Sequence, residues 1–266
     1  MKLSLSRLQL PLSAVVLLVL WQMLVVGLDI PYYLLPTPIE VVKALWNGLT
    51  APINATSSLL FQMGSTMRAM LLGFVGGGLV GILLGMIVSE SVALERVVMP
   101  YVFGMQSVPK IAIAPLLLIW FGFGLTSKAV LAGLLAFFPI LINTYAGMRM
   151  VDRDSIRLFR SLKARRWQTL WKLKLPNALP AILAGLDIGV VQSLLGAVVA
   201  EFISGKDGIG VAILQYQFIN DTAGVFSALI VLAVTGITLH WGIRTVEKKV
   251  LFWKPSEEVK IGKDAA

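Results

Sequence analysis

The sequence predicts an all-α, polytopic membrane protein with six transmembrane helices, and three observations predict it. Hydrophobic residues make up 57% of the 266, and the mean hydropathy is +0.84, beyond the range of soluble globular domains. Uncharged apolar runs of about 18 residues or more recur along the chain, long enough to cross a hydrocarbon core. The 23 basic residues sort by side once six spans are drawn at about 11–28, 62–88, 97–121, 126–148, 178–203 and 222–243. With the N-terminus inside, eighteen basic residues fall on the cytoplasmic side and only Lys43, Lys128 and Lys206 outside, while Arg68 and Lys110 fall within or beside spans. That asymmetry is the positive-inside pattern. The net charge of +9 therefore reports topology, and no nucleic-acid partner is expected.

The first span follows Lys2 and Arg7 but is closed by no small-residue cleavage site, so a retained anchor is expected rather than a signal peptide. The outer stretch 29–60 carries Thr37, Pro38 and Glu40, a helix start with Thr37 as cap and Pro38 in the first turn. A short amphipathic helix at the outer surface is expected there. Span two holds Gly73, Gly77, Gly81 and Gly85 at a strict spacing of four. On a helix these form one flat stripe that another helix backbone can approach. Span five repeats the pattern with Gly185, Gly189, Ser193 and Ala197. The alternative is that these are merely small residues in apolar helices.

Span three contains Pro100, Pro109 and Pro115, and Met105, Gln106 and Ser107 stand just before the second proline. Proline removes a backbone donor and clashes with the preceding turn, so a kink or break is expected. Irregular backbone at membrane depth is tolerated only inside protein or beside a watery cavity. Met105, Gln106 and Ser107, with Asn143 on span four and Gln192 on span five, are therefore expected near a solute route, a packing kink being the alternative. Arg68, Lys110, Asp187 and Glu201 are the ionisable groups near the bilayer. Arg68 and Glu201 stand near outer span ends, where long side chains reach the interface; Asp187 lies deeper and needs a partner or water.

Several chemistries are excluded. The chain has no cysteine and one histidine, His240, so thiol catalysis and a histidine or thiolate metal site are not expected. "SGKDG" lacks the leading glycine and the hydroxyl of a phosphate loop, and no nucleophile-elbow or zincin motif occurs. No catalytic residue and no cofactor bound by this chain are expected.

Between spans four and five, Arg149 to Lys174 carries nine basic residues against Asp152 and Asp154. Trp167, Leu170 and Trp171 fall at i, i+3 and i+4, and Ile156, Phe159 and Leu162 or Lys163 give a second apolar face upstream. Two short amphipathic helices joined by a turn are expected, with Pro176 and Pro180 marking re-entry into the membrane. Such a pair could lie on anionic lipid with its tryptophans at headgroup depth.

The loop resembles the cytoplasmic loop of ABC importer permeases, E-A-A-x-x-x-G, nine residues, then I-x-L-P. Here Ala164 to Lys172 are followed by Leu173-Lys174-Leu175-Pro176. The segments "LLPTPIEVVKALW", "VPKIAIAPLLLIWFGFG", "FFPILINTYAGM", "LPNALPAILAGLDIG", "AVVAEFISGKDGIG" and "VLFWKP" extend the resemblance over nearly the whole chain, to the nitrate/sulfonate/taurine branch. That branch also serves pyrimidine thiamine precursors and riboflavin. The resemblance implies a type I, MetI-like permease fold over 1–266, with 149–177 as a coupling loop and 244–266 as a cytoplasmic tail. It implies an inner-membrane location and docking of Arg157, Leu158, Phe159, Leu162, Lys163, Trp167, Leu170, Trp171, Leu173, Leu175 and Pro176 on a separate ATPase. The implied partners are two ATPase subunits holding ATP and Mg, a second permease as a homodimer partner, and an extracytoplasmic binding protein. The sequence departs from the branch at Arg157 in place of the glutamate, Leu158 and Phe159 for the alanines, Lys163 for the glycine, and Asp187 where span five usually carries a base.

An ATP-independent transporter or channel and a lipid-binding scaffold are the competing readings. Few ionisable groups in the spans argue against proton coupling. The topology is checked with single cysteines in this cysteine-free chain. Ser161→Cys and Ser256→Cys are expected to resist an impermeant thiol reagent in intact cells, and Thr50→Cys to react; labelling of Ser161→Cys from outside reverses the topology.

Overall fold

The computed structural model describes residues 3–253 except Asn54, with side chains from Leu12 on except Ser204. Ser256 and the tail from 254 lie outside the described residues. Those described form helices joined by turns and short loops, with no strand among them. In chain order the helices are α1 Leu3–Gly27, α2 Pro38–Thr50, α3 Leu59–Glu90, α4 Val92–Ser107, α5 Ala114–Phe121, α6 Leu125–Arg149, α7 Arg153–Ser161, α8 Arg166–Thr169, α9 Leu175–Ser204, α10 Ile209–Phe218 and α11 Thr222–Val250.

Four helical runs are long and apolar enough to cross a bilayer: α3, α6, the run Arg166–Ile203 and α11. α4 and the run Lys110–Phe121 make a fifth if taken together, with a break between them. The described apolar part of α1, Leu12–Gly27, is shorter than the about 18 residues that a bilayer crossing takes.

The expected break in span three falls at Val108–Pro109, after α4 ends at Ser107, and a 3₁₀ turn Lys110–Ile113 follows. Pro100 sits inside α4 without ending it, and Pro115 lies in the first turn of α5, where its missing N–H has no helical acceptor to serve. Of these three prolines, Pro109 alone stands just past a helix end. Helix α2 starts as expected: Glu40 N donates to Thr37 Oγ1 at 3.3 Å, and Thr37 N donates to Glu40 Oε2 at 2.8 Å. This reciprocal capping box satisfies two backbone donors.

The chain divides into two compact units. The first takes in residues up to Gly73 with Ile111–Ala132 and Leu194–Gly236; the second takes in Phe74–Lys110, Gly133–Ser193 and the chain from Ile237. In the first, Leu59, Ile209, Ile213 and Ala228 form the buried core. In the second, Val88, Met99, Val102, Phe138 and Leu141 form one cluster and Met148, Ala178 and Ile182 another.

Within the second unit α6 is packed between two small-residue faces. A Cβ on Gly77 would land on the backbone of Gly133; on Gly81 it would meet Phe137 O at 3.0 Å, and on Gly85 Thr144 Cβ at 2.8 Å. On the α9 side, Gly185 faces Asn143 and Ile140, and Gly189 faces Ile140 and Ala136. Gly73 is buried, and Ser193 and Ala197 are fully so. The spacing thus marks close helix contact.

Gly76 and Gly77 separate the two readings of these glycines. A Cβ at Gly76 meets nothing within 4 Å. Gly77→Ala is expected to cost about 2 kcal/mol, as overpacking does, and Gly76→Ala less than about 0.5 kcal/mol. Thermal unfolding of the purified chain in detergent reads the difference, and equal midpoints would reject the packing role.

Candidate functional site

The basic segment begins where α6 ends at Arg149. Asp152 caps α7, accepting from Ser155 N at 3.3 Å. α7 closes on Lys163, whose φ of +52° is left-handed. Ala164 N donates to Phe159 O at 3.0 Å and Lys163 N to Arg160 O at 2.9 Å. These two bonds are the Schellman closure, in which the left-handed position usually belongs to glycine. A lysine there carries a penalty of about 1 kcal/mol. The turn implied by the resemblance is therefore present without its glycine.

After the turn, Arg165 N donates to Gln168 Oε1 at 2.8 Å and α8 begins. The second short helix is not separate from span five, contrary to the expected helix pair. A π turn, Leu170–Lys174, joins α8 to α9, and Arg166–Ile203 runs as one helix. Its cause is Pro176, which has no N–H and whose ring needs room over the preceding turn. Just before it, Leu175 N reaches back five residues to Leu170 O. Pro176 and Pro180 thus lie within one continuous helical run.

Along this segment Trp167 is 65% exposed and Trp171 48%, their ring centroids 5.2 Å apart. Leu158 and Leu162 are also exposed, whereas Phe159, Leu170, Leu173 and Leu175 are half-buried. Leu170 and Leu175 pack against the Met148–Ala178–Ile182 cluster, so they belong to the helix base rather than to the free face. Arg157 pairs with Asp154 on its own helix at 2.9 Å.

Among the residues expected near a solute route, Met105, Gln106, Ser107 and Gln192 are exposed on this chain. Asn143 is half-buried and spends a donor on Pro139 O at 2.8 Å, the carbonyl within reach four residues back on the same helix. Lys110, beyond the break, stands over the Phe138 ring at 4.9 Å.

Away from the basic loop, sequence reading missed two polar groupings. Glu201 does not reach the interface: it is 1% exposed. Its Oε2 accepts from Gly210 N at 2.9 Å and Thr66 Oγ1 at 3.0 Å, and Thr66 Oγ1 accepts from Ile209 N at 2.9 Å. Gln62 Oε1 accepts from Gly208 N at 2.6 Å. Three consecutive amides at the start of α10 are thus satisfied from α3 and α9. Lys128 Nζ donates to Asp207 Oδ1 at 2.8 Å and lies 3.9 Å from Glu201 Oε1, too far for a hydrogen bond. The lysine's hydrogen bond holds the Asp207 carboxyl below its usual range. The only signal in the sequence was Gln62 and Thr66 at i and i+4 on a span. The second grouping supplies the partner that Asp187 needs: His240 Nδ1 lies 2.6 Å from its Oδ1, with Arg244 Nε 3.9 Å from Oδ2. No cluster of metal-ligating side chains occurs among the described residues.

Long apolar helices packed glycine to backbone, with a span broken at a proline, describe a multi-pass membrane protein with an exposed basic segment that carries paired tryptophans. Residues 77–252 match the binding-protein-dependent transport system inner membrane component family, and the chain belongs to it. The riboflavin transport system permease protein RibX of Chloroflexus aurantiacus is 36% identical, over 93% of this chain and 90% of its own length. The formylaminopyrimidine transport permease protein ThiX of Halalkalibacterium halodurans is 32% identical, over 97% and 100%. The inward-facing MetNI methionine ABC transporter shares the fold, with a TM-score of 0.56 at 20% identity, covering 81% of this chain and 98% of that one. The protein is a permease subunit of an ABC importer in the inner membrane: a transport subunit, not an enzyme.

The left-handed turn gives a test. Lys163→Gly is expected to relieve about 1 kcal/mol of backbone strain, and Lys163→Val to add a comparable amount because a branched Cβ resists positive φ. Both variants lose the same tryptic site, so limited trypsin digestion between Arg149 and Lys174 compares them fairly. The valine variant should be cut faster; equal rates would contradict the left-handed turn.

Proposed function

We propose that this subunit imports a small solute of the kind its branch serves: a sulfonate, taurine, nitrate, riboflavin or a pyrimidine thiamine precursor. It forms the route with a second copy of itself. An extracytoplasmic binding protein delivers the solute, and two ATPase subunits holding ATP and Mg supply the work. The side chains beside the Pro109 break, Met105, Gln106 and Ser107, together with Asn143 and Gln192, border that route. Six spans with both termini cytoplasmic complete the reading, α1 serving as the first, on the strength of the basic-residue asymmetry.

The observation that carries the proposal is the exposed tryptophan pair on a helix continuous with span five. Exposed aromatic surface on a segment rich in arginine suits a protein groove: aromatic and arginine residues dominate binding energies at interfaces. The 149–177 loop is then the coupling loop, with Leu158, Leu162, Trp167 and Trp171 toward the ATPase and Arg157 and Lys163 shaping the turn beside them. A push on the tryptophans is a push on α9, because no flexible joint intervenes. The loop lying on anionic lipid is the second reading, favoured by the same arginines.

Substitutions in the loop decide between the two. Trp171→Ala is expected to cost about 3 kcal/mol of ATPase binding, lost in co-purification. Arg165→Ala with Arg166→Ala, at the rim, is expected to cost less than about 1 kcal/mol, with a salt dependence. Unchanged ATPase retention by Trp171→Ala rejects docking, and equal loss of vesicle binding by both variants supports the lipid surface.

A further inference from the structure

The basic loop is tied to the membrane helices by two acids that lie outside it. α3 ends at Glu90, Ser91 caps α4, and Glu95 stands in the first turn of α4. One tight turn therefore carries two carboxylates. Glu90 Oε1 accepts from Lys174 Nζ at 2.6 Å, and Lys174 ends the π turn through which the loop joins α9. Glu95 Oε1 accepts from the Tyr145 hydroxyl at 2.5 Å. Its Oε2 faces Arg149 Nη1 at 3.0 Å, a charge contact off the line of a hydrogen bond. Arg149 is the last residue of α6, from which the loop departs.

The two ends of the loop are thus held by the same turn. Among the described residues, Arg149 and Lys174 are the basic residues of the loop paired to another helix, whereas Arg157 is paired within α7. The side chains of Lys174 and Glu95 are 18% and 23% exposed, those of their partners Glu90 and Arg149 36% and 47%. Partly buried pairs are screened less by salt than exposed ones. Geometry adds to this: one ion pair lets a loop pivot about it, while two at opposite stems remove that freedom. Val98 and Tyr145 pack on the same side, against the Val88–Met99–Leu141 cluster, so the turn rests on buried apolar structure.

We infer that Glu90 and Glu95 are positioning residues that clamp both stems of the loop to the α3–α4 turn, so that the loop and the start of α4 move as one body. The functional weight of the clamp rests on the docking reading above; its geometry does not. With the clamp closed, displacement of the loop reaches α4, which leads to the Pro109 break, as well as α9. With it open, the push reaches α9 alone.

The test uses spin labels at Ser161→Cys and Val97→Cys, both exposed positions in a cysteine-free chain. Labelled chain is diluted with unlabelled chain in the ATPase-bound complex, so that distances within one copy are read. The expected result is a narrow distribution whose mean differs by less than about 2 Å between nucleotide-free and ATP-analogue-bound states, the scale of small helix shifts. Glu90→Gln with Glu95→Gln should widen it about twofold, as loss of local anchoring does, and make its mean depend on nucleotide while the ATPase stays bound. Reversing both pairs, with Glu90→Lys, Lys174→Glu, Glu95→Arg and Arg149→Glu, should restore the narrow distribution, which a role in folding alone would not give. A distribution left narrow by the glutamine pair overturns the clamp, as does a wild-type mean that shifts beyond that scale with nucleotide. ATPase co-purification, scored on the same preparations, reports docking separately. Should the wild-type chain not retain the ATPase, docking fails, and the widths measured on the nucleotide-free chain still decide the clamp.

Discussion

The closeness of α6 to its neighbours is the constraint from which much of the second unit follows. Lipid tails are as apolar as leucine, so helices in a membrane gain little by merely hiding hydrophobic surface from one another. What holds them is contact, and contact needs backbones near each other. Gly77, Gly81 and Gly85 give that on one flank of α6, and Gly185 and Gly189 on the other. The fully buried Ile140 and Leu141 fill the spaces that remain. With α6 fixed in this way, its last residue, Arg149, sets where the basic loop begins and which acids it can reach.

Polar groups at membrane depth obey a stricter rule, since each must find a partner or water. Glu201 is the strongest case. It serves as an acceptor for a helix start other than its own, a place where negative charge is stabilised by the helix dipole. Gln62 and Thr66, one turn apart on α3, complete the set of acceptors. The arrangement fixes the direction in which α10 leaves α9 without a side-chain cap of its own. Asp187 follows the same rule with different means, holding the chain's one histidine on α11.

Features that depend on near neighbours were legible in the sequence. Thr37 and Glu40 are three residues apart, and their capping box is where the spacing put it. The glycine stripe needed only helical periodicity, and the Pro109 break needed only proline's missing donor. Pro100 did not break its helix, because proline's effect depends on what replaces the lost bond. The groupings around Glu201, Asp187 and Glu90 were illegible for a different reason: each joins residues dozens of positions apart, and pattern along the chain says nothing of which helices will be neighbours. The loop falls between these cases. Its apolar positions were readable, but Leu170 and Leu175 turned out to belong to the base, and the π turn that joins α8 to α9 has no signature beyond the proline after it.

That π turn also sets a phase. A single wide turn adds one residue to the repeat, and one residue on a helix is about 100° of rotation. The tryptophans therefore face a direction about a quarter-turn away from the one that an uninterrupted α-helix would give them, relative to Gly185 and Gly189 above. The run is effectively a shaft with an offset key cut into it. Its upper part is oriented by the glycine face on α6, its lower part by the loop. If Leu170–Lys174 were tightened to an ordinary α turn, the upper face would stay seated while the tryptophan face swung around the axis. Angular alignment along this shaft, and not its length alone, is what the residues just ahead of Pro176 govern.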